Sequence, residues 1–167
     1  MATTKHAAGA GILADHNAAK REEIVGLLTQ AYWMEMETVM SYLANATNLD
    51  GIRAEEIAEA LEEDVTEELG HATAFAKRIK ELYGTPPGSM DFTASQTSLQ
   101  PPADSADVAT VIRGVIEAEA GAIEHYNRII EACDGVDWAT QDMVIDILRD
   151  EEGHMRTFER YLREFEG

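Results

Sequence analysis

Apolar residues recur along most of this chain at the spacing of an α-helix. From Arg21 they fall at Ile24, Leu27, Leu28 and Ala31, then at Val39, Tyr42, Leu43 and Ala46. That spacing gathers them on one side of a helix. Asn48, Asp50 and Gly51 break the pattern and predict a turn. A second run starts near Arg53, passes through Ile57, Leu61, Val65, Leu69, Ala72 and Ile79, and closes near Leu82, before Gly84 and the Pro86-Pro87-Gly88 cluster. A third helix is predicted from about Asp107 to Cys133, with Asp134-Gly135 as the next turn. The fourth runs from Trp138 to Phe165.

Two segments lack the period. Residues 1–20 are rich in Ala, Gly and Thr and are expected to form a tail, with a short helical piece from Asp15 to Lys20. Residues 83–106 contain all four prolines. A connection that long is uncommon between adjacent helices unless it crosses from one end of a bundle to the other. A 28-residue helix is about 42 Å long, and 24 extended residues reach about 80 Å, so the length suffices. Short links join helices 1 to 2 and 3 to 4, and a long one joins 2 to 3. The chain therefore reads as an all-α four-helix bundle over residues 21–167, two antiparallel hairpins tied by one crossover.

At 167 residues, 45% of them hydrophobic, the chain can bury a core as one domain. Its charge is more informative: 32 Asp and Glu against 13 Lys and Arg give −19. Such a body repels nucleic acid and anionic membranes and attracts cations, so no DNA and no membrane partner is expected. Most of these acids read as a solvated surface. No stretch approaches the roughly 20 apolar residues of a membrane span. Ala7 to Ala14 is too short and too weakly apolar for a signal peptide. Cys133 stands alone and has no internal disulfide partner, so cytoplasm is the default location.

The candidate chemistry lies in a pattern that occurs twice. Glu68-Leu69-Gly70-His71 reads E-x-x-H, and so does Glu151-Glu152-Gly153-His154, 83 residues later. Each follows a glutamate that has a tyrosine seven residues further on: Glu35 with Tyr42, and Glu119 with Tyr126. The Glu-to-E-x-x-H separations are 33 and 32 residues, so the chain is two copies of one unit. Positions i and i+3 share a helix face, so one Glu and its His can grip the same ion. Two such helices plus one Glu from each of the others supply four carboxylates and two imidazoles, a ligand set for two iron or manganese ions. Two divalent cations would neutralise the four carboxylates; without metal, that many like charges in a buried space cost stability. Glu68 and Glu151 are expected to bridge both ions, because their helices face each other. Glu35 and Glu119 would be terminal, and His71 and His154 would serve one ion each. Tyr42 and Tyr126 would donate hydrogen bonds to the ligands.

Chance weighs against coincidence. With 21 Glu and five His in the chain, a Glu three places before a His is expected about 0.6 times and occurs twice. The neighbouring acids Glu37, Glu67, Glu124 and Glu152 read as solvated faces. His125 reads as core or surface, Met34, Met36 and Met40 as packing, and Cys133 as a small buried thiol.

These residues resemble the ferritin-like superfamily, most closely bacterioferritin and its Dps-like relatives. The stretch from Asp142 to His154 looks like the fourth helix of bacterioferritin, and Glu67 to Ala72, with Arg78-Ile79, looks like its second. The resemblance implies a ferritin-like topology and a ferroxidase centre at Glu35, Glu68, His71, Glu119, Glu151 and His154. It implies that Fe(II) is oxidised there by oxygen or hydrogen peroxide for iron storage and oxidative-stress protection, within a cage. Two iron ions per chain are expected, manganese being possible. The alternative is a non-storage enzyme of the same ligand set, a dimanganese catalase or a rubrerythrin-like peroxidase. Bacterioferritins bind haem through a Met where this chain has Leu69 and Gly70, so no haem is expected. Thioferritins carry a cysteine pair near the end of the third helix, where this chain has Cys133 alone. The chain stops thirteen residues after His154, without the fifth helix of ferritins, so a homo-oligomer near a dodecamer is expected.

Overall fold

The four predicted helices form, and their boundaries follow the sequence signals closely. The structure is a computed structural model describing residues 11–165. Its helices are α1 (Ala18–Asn48), α2 (Ile52–Glu81), α3 (Val108–Cys133) and α4 (Trp138–Leu162). No described helix is long and apolar enough to cross a membrane. Gly51, with a φ of 113°, makes the tight link between α1 and α2, and Gly135, at 71°, the one between α3 and α4. The second hairpin also caps its helices: Asp107 and Asp137 accept from the backbone N–H of Thr110 and Thr140.

Each helix buries a stripe with a 3–4 residue repeat. On α1 it runs Ile24, Leu28, Ala31, Glu35, Thr38, Tyr42 and Asn45; on α4 it runs Thr140, Val144, Ile147, Glu151 and Phe158. The glutamates therefore occupy core positions of the helical register. They form a polar layer with an apolar cluster on either side. One cluster includes Ile24, Leu28, Phe75, Ile79, Ile129 and Val144. The other includes Ile57, Leu61, Val111, Val115 and Phe158.

The helical piece expected from Asp15 to Lys20 forms, whereas residues 11–14 are more ordered than the tail expected there. Gly11–Leu13 and Asp15–Asn17 are 3-10 turns, and α1 starts at Ala18. Ile12 is buried in the first cluster; burying such a side chain contributes about 2 kcal/mol. Arg21 then fixes the segment by donating to the carbonyls of Ile12 and Ala14 at 2.9 and 3.2 Å. Residues 1–10 of the expected tail lie outside the described residues.

The crossover between α2 and α3 is stitched along α1. Glu37, expected to be solvated, is buried and accepts from the backbone amides of Ser95 at 2.7 Å and Gln96 at 2.6 Å. The amide of Gln96 binds Thr38, the Asn45 amide binds the Leu99 carbonyl, and the Asp50 N–H binds the Ser105 carbonyl. Irregular backbone cannot satisfy itself, so α1 supplies the partners. On the other side the strap touches α3 at Gly114, where a Cβ would stand 2.6 Å from the Ser98 carbonyl. Only glycine permits that approach.

Candidate metal centre

The helical register delivers all six sequence-predicted ligands to the polar layer. Glu35 (α1), Glu68 and His71 (α2), Glu119 (α3) and Glu151 (α4) are buried, and His154 (α4) is nearly so. Their donor atoms form two groups that overlap, each with all its atoms within 4.8 Å of one another: Glu35, Glu68, His71 and Glu151; and Glu68, Glu119, Glu151 and His154. Glu68 and Glu151 belong to both. One histidine and one outer glutamate belong to each.

Both imidazoles turn Nδ1 inward. His71 Nδ1 lies 3.1 Å from Glu151, 3.5 Å from Glu68 and 3.8 Å from Glu35. His154 Nδ1 lies 3.3 Å from Glu68, 3.6 Å from Glu151 and 3.9 Å from Glu119. These atoms pair electrostatically, yet they are misaligned for hydrogen bonding: Nδ1 of both histidines, both oxygens of Glu68 and Oε1 of Glu151 are buried without a hydrogen-bond partner. Buried polar atoms are rarely left so. Here the lone pairs converge on the space between the side chains, and a carboxylate–imidazole donor set suits Fe(II) and Mn(II). The residues fit a dinuclear metal group.

The tyrosines cross over. Tyr42 on α1 donates to Glu119 on α3, and Tyr126 on α3 donates to Glu35 on α1. Each holds Oε1 of an outer glutamate and orients the carboxylate. Burial, then the adjacent carboxylates, push both phenols well above the ordinary tyrosine range, so they remain donors.

Burial raises Glu35 and Glu119 well above the usual carboxylate range, and the neighbouring glutamates add to it. Burial also opposes charge on Glu68 and Glu151, but the adjacent imidazoles outweigh it and hold both low. Burial would lower the histidines, yet Glu151 and Glu68 outweigh it and push His71 up to about 10 and His154 up to about 12. In the metal-free centre the surroundings thus favour the charged form of both imidazoles and of Glu68 and Glu151, and the protonated form of Glu35 and Glu119.

Several neighbours take places the sequence reading did not assign. Outward Nε2 of His154 meets Glu67 at 3.2 Å and Asp64 at 3.9 Å; outward Nε2 of His71 meets Asp150 at 3.5 Å. Glu67, read as a solvated face, is engaged with His154. Burial raises the Asp64 carboxyl to about 6, and His154 opposes that rise. A signal existed: Glu67 and Asp150 each immediately precede a bridging-type glutamate, so the repeat is acid-Glu-x-x-His. His125 is core, with Nε2 2.9 Å from the Leu27 carbonyl. Cys133 is buried, and burial pushes its thiol up to about 12. Met34 packs on the core, whereas Met40 is 62% exposed rather than packed.

Comparison with known proteins gives the same architecture. The ferritin-like domain profile matches residues 25–167. The DNA protection during starvation protein of Pyrococcus furiosus is 28% identical over 145 residues, 84% of this chain and 77% of that one. The bacterioferritin of Desulfovibrio desulfuricans is 24% identical over 148 residues, 88% of this chain and 78% of that one. Among solved structures, the dodecameric, bacterioferritin-related thioferritin of Bacteroides fragilis superposes with a TM-score of 0.74 at 24% identity, covering 87% of each chain.

Proposed function

The chain belongs to the ferritin-like family, and from that premise we propose that it is a ferroxidase, oxidising paired Fe(II) with oxygen or hydrogen peroxide for iron storage and oxidative-stress protection. The observation that carries this reading is the layer of four buried glutamates and two histidines whose inward atoms have no partner. Glu68 and Glu151 would bridge the two metal positions; Glu35 with His71, and Glu119 with His154, would complete one each. Bound there, two Fe(II) supply the two electrons that reduce dioxygen to hydrogen peroxide, or hydrogen peroxide to water.

The remaining work belongs to the chain. Metal binding would favour the deprotonated form of Glu35 and Glu119 and the neutral form of both imidazoles. Two divalent cations against four carboxylates would then balance. Tyr42 and Tyr126 hold the outer glutamates in place throughout. The apolar clusters on either side exclude bulk water, which strengthens every charge interaction inside. The same donor set accepts manganese, which keeps a dimanganese enzyme as the competing reading.

The likeness to the Bacteroides fragilis thioferritin supports a homo-oligomeric cage near twelve chains. Haem is not part of the proposal, because Leu69 has no donor atom. Neither is DNA: the net charge of −19 opposes phosphate contacts, whatever the Pyrococcus relative's name implies for that protein.

Anaerobic titration tests the reading. Two Fe(II) per chain should bind, oxygen or peroxide should oxidise both together, and an iron core should grow in a particle of about twelve chains by light scattering. One ion per chain would overturn it. Rapid peroxide disproportionation by manganese-loaded protein, with no iron core, would transfer the assignment to the catalase reading.

A further inference from the structure

We infer that Glu67 and Asp150 are positioning residues for the metal centre, each holding the opposite hairpin's histidine by its outward nitrogen, and that the extra acid Asp64 makes the His154 position the first to fill. This rests on the dinuclear reading above.

The geometry is one of crossing. Glu67 is on α2 and meets His154 on α4; Asp150 is on α4 and meets His71 on α2. Adjacent residues on a helix diverge by about 100°. When Glu68 and Glu151 point into the layer, their predecessors therefore stand at its rim, against the facing helix. Both rim side chains remain half open to solvent, 49% exposed for Glu67 and 44% for Asp150. Among the described residues, the ion pairs of Glu67, Asp150 and Asp64 run to the two histidines, not to a Lys or Arg.

The chemistry follows from the ring. An imidazole that offers Nδ1 to a metal carries its remaining proton on Nε2. A carboxylate at Nε2 fixes that tautomer, fixes the ring orientation and makes Nδ1 a stronger donor; removing such a partner typically costs 10–100-fold in metal affinity. Glu67 at 3.2 Å and Asp150 at 3.5 Å are placed to act in this way.

The two positions are unequal. Asp64 lies four residues before Glu68, on the same face of α2, and reaches within 3.9 Å of His154 Nε2. The residue four before Glu151 is Ile147, which is buried in the first apolar cluster. At ion-pair distance His154 thus has two outer carboxylates and His71 has one, with Glu67 within 4.8 Å of His71 as well.

The test uses the full chain. Wild type is titrated anaerobically with Co(II), and the Zn(II)-loaded protein is read by 15N NMR of its histidines. Two ions per chain in wild type decides the dinuclear reading; the variants decide this inference. Glu67→Ala should weaken one of the two ions about 10–100-fold and Asp150→Ala the other. Glu67→Gln and Asp150→Asn, whose carbonyls still accept from Nε2–H, should recover part of the loss. Asp64→Asn should narrow the gap between the two binding steps. In a double-mutant cycle, Glu67→Ala should add nothing to His154→Ala and its full effect to His71→Ala. The NMR spectra should show Nδ1 bound and Nε2 protonated in both rings. Equal weakening of both ions by either rim variant, unchanged binding, or metal on Nε2 would overturn the inference. The rim side chains are half exposed, so metal-free thermal unfolding should barely move; a large fall would mark a structural role instead and count against it.

Discussion

Thr38, Ser41 and Asn45 on α1 and Ala122, His125 and Ile129 on α3 hold equivalent places in the internal repeat, 84 residues apart, and all six are buried. The first set is polar and the second largely apolar. The difference follows what lies outside each helix. α1 receives the crossover, whose backbone groups need partners, and Glu37, Thr38 and Asn45 provide them. The corresponding stretch of α3 packs into the first apolar cluster through Ala122, Tyr126 and Ile129. Across the same repeat the pairs Glu35 and Glu119, and Tyr42 and Tyr126, are unchanged. The centre therefore sets a few positions identically in both hairpins, and everything between them follows local packing.

The strongest way to break this picture is at the equivalent bridging positions. Glu68→Ala and Glu151→Ala should each abolish the fast phase of Fe(II) oxidation in stopped flow, because each belongs to both donor groups and would be lost from both proposed metal positions. Fast oxidation surviving in one variant but not the other would mean the hairpins are not equivalent at their centre.

A second probe is pH, which acts on both hairpins together. His71 is raised to about 10 and His154 to about 12, so both stabilise the metal-free fold at pH values below the ordinary imidazole range. That contribution is lost as pH rises from about 6.5 through 10 and beyond. Glu35 and Glu119, also raised, act with the same sign at lower pH. Metal-free protein should lose thermal stability between pH 6.5 and 10, while the loaded protein should not. The stabilisation on adding metal should therefore grow with pH, with protons released on loading. A metal effect independent of pH would contradict the charge states derived above.

The contrast between α1 and α3 sharpens at Glu37, whose repeat counterpart is Gly121. Glu37→Ala strands two backbone amides and should cost about 2 kcal/mol in denaturant unfolding. Metal binding and fast oxidation should stay nearly intact. A loss of metal binding would place Glu37 in the centre rather than in the strap.

The smallest effect expected is that of Tyr42→Phe or Tyr126→Phe. Each removes one donor from an outer glutamate, and each should slow oxidation several-fold while both ions still bind. The two should agree within a few-fold, since their bonds to the outer glutamates repeat although Asp64 stands beside the His154 position alone; a tenfold difference between them would show that the hairpins diverge at the tyrosines themselves.

Helices, crossover and the six clustered candidate ligands were legible in the sequence because each depends on spacing within one segment. A 3.6-residue period marks a helix, and i, i+3 marks a shared face. The crossed pairings of Tyr42, Tyr126, Glu67 and Asp150 were not, because they depend on how one hairpin is set against the other. Glu37 misread for a related reason: an acid on a helix is usually solvated, and only the path of the strap reveals the amides it serves. Ile12 was hidden because one adjacent pair, Ile12-Leu13, in a run of Ala and Gly carries no period.

The crossed contacts have a consequence for symmetry. Tyr42 with Glu119 and Tyr126 with Glu35, like Glu67 with His154 and Asp150 with His71, are reciprocal: what one hairpin gives, it receives back from the other. This is the isologous relation of a C2 dimer, here written into a single polypeptide. The centre sits on the pseudo-dyad, and the crossover is the covalent tether between two quasi-identical protomers. Cutting that tether beside the exposed Met90 should therefore leave the hairpins associated and the dyad site whole.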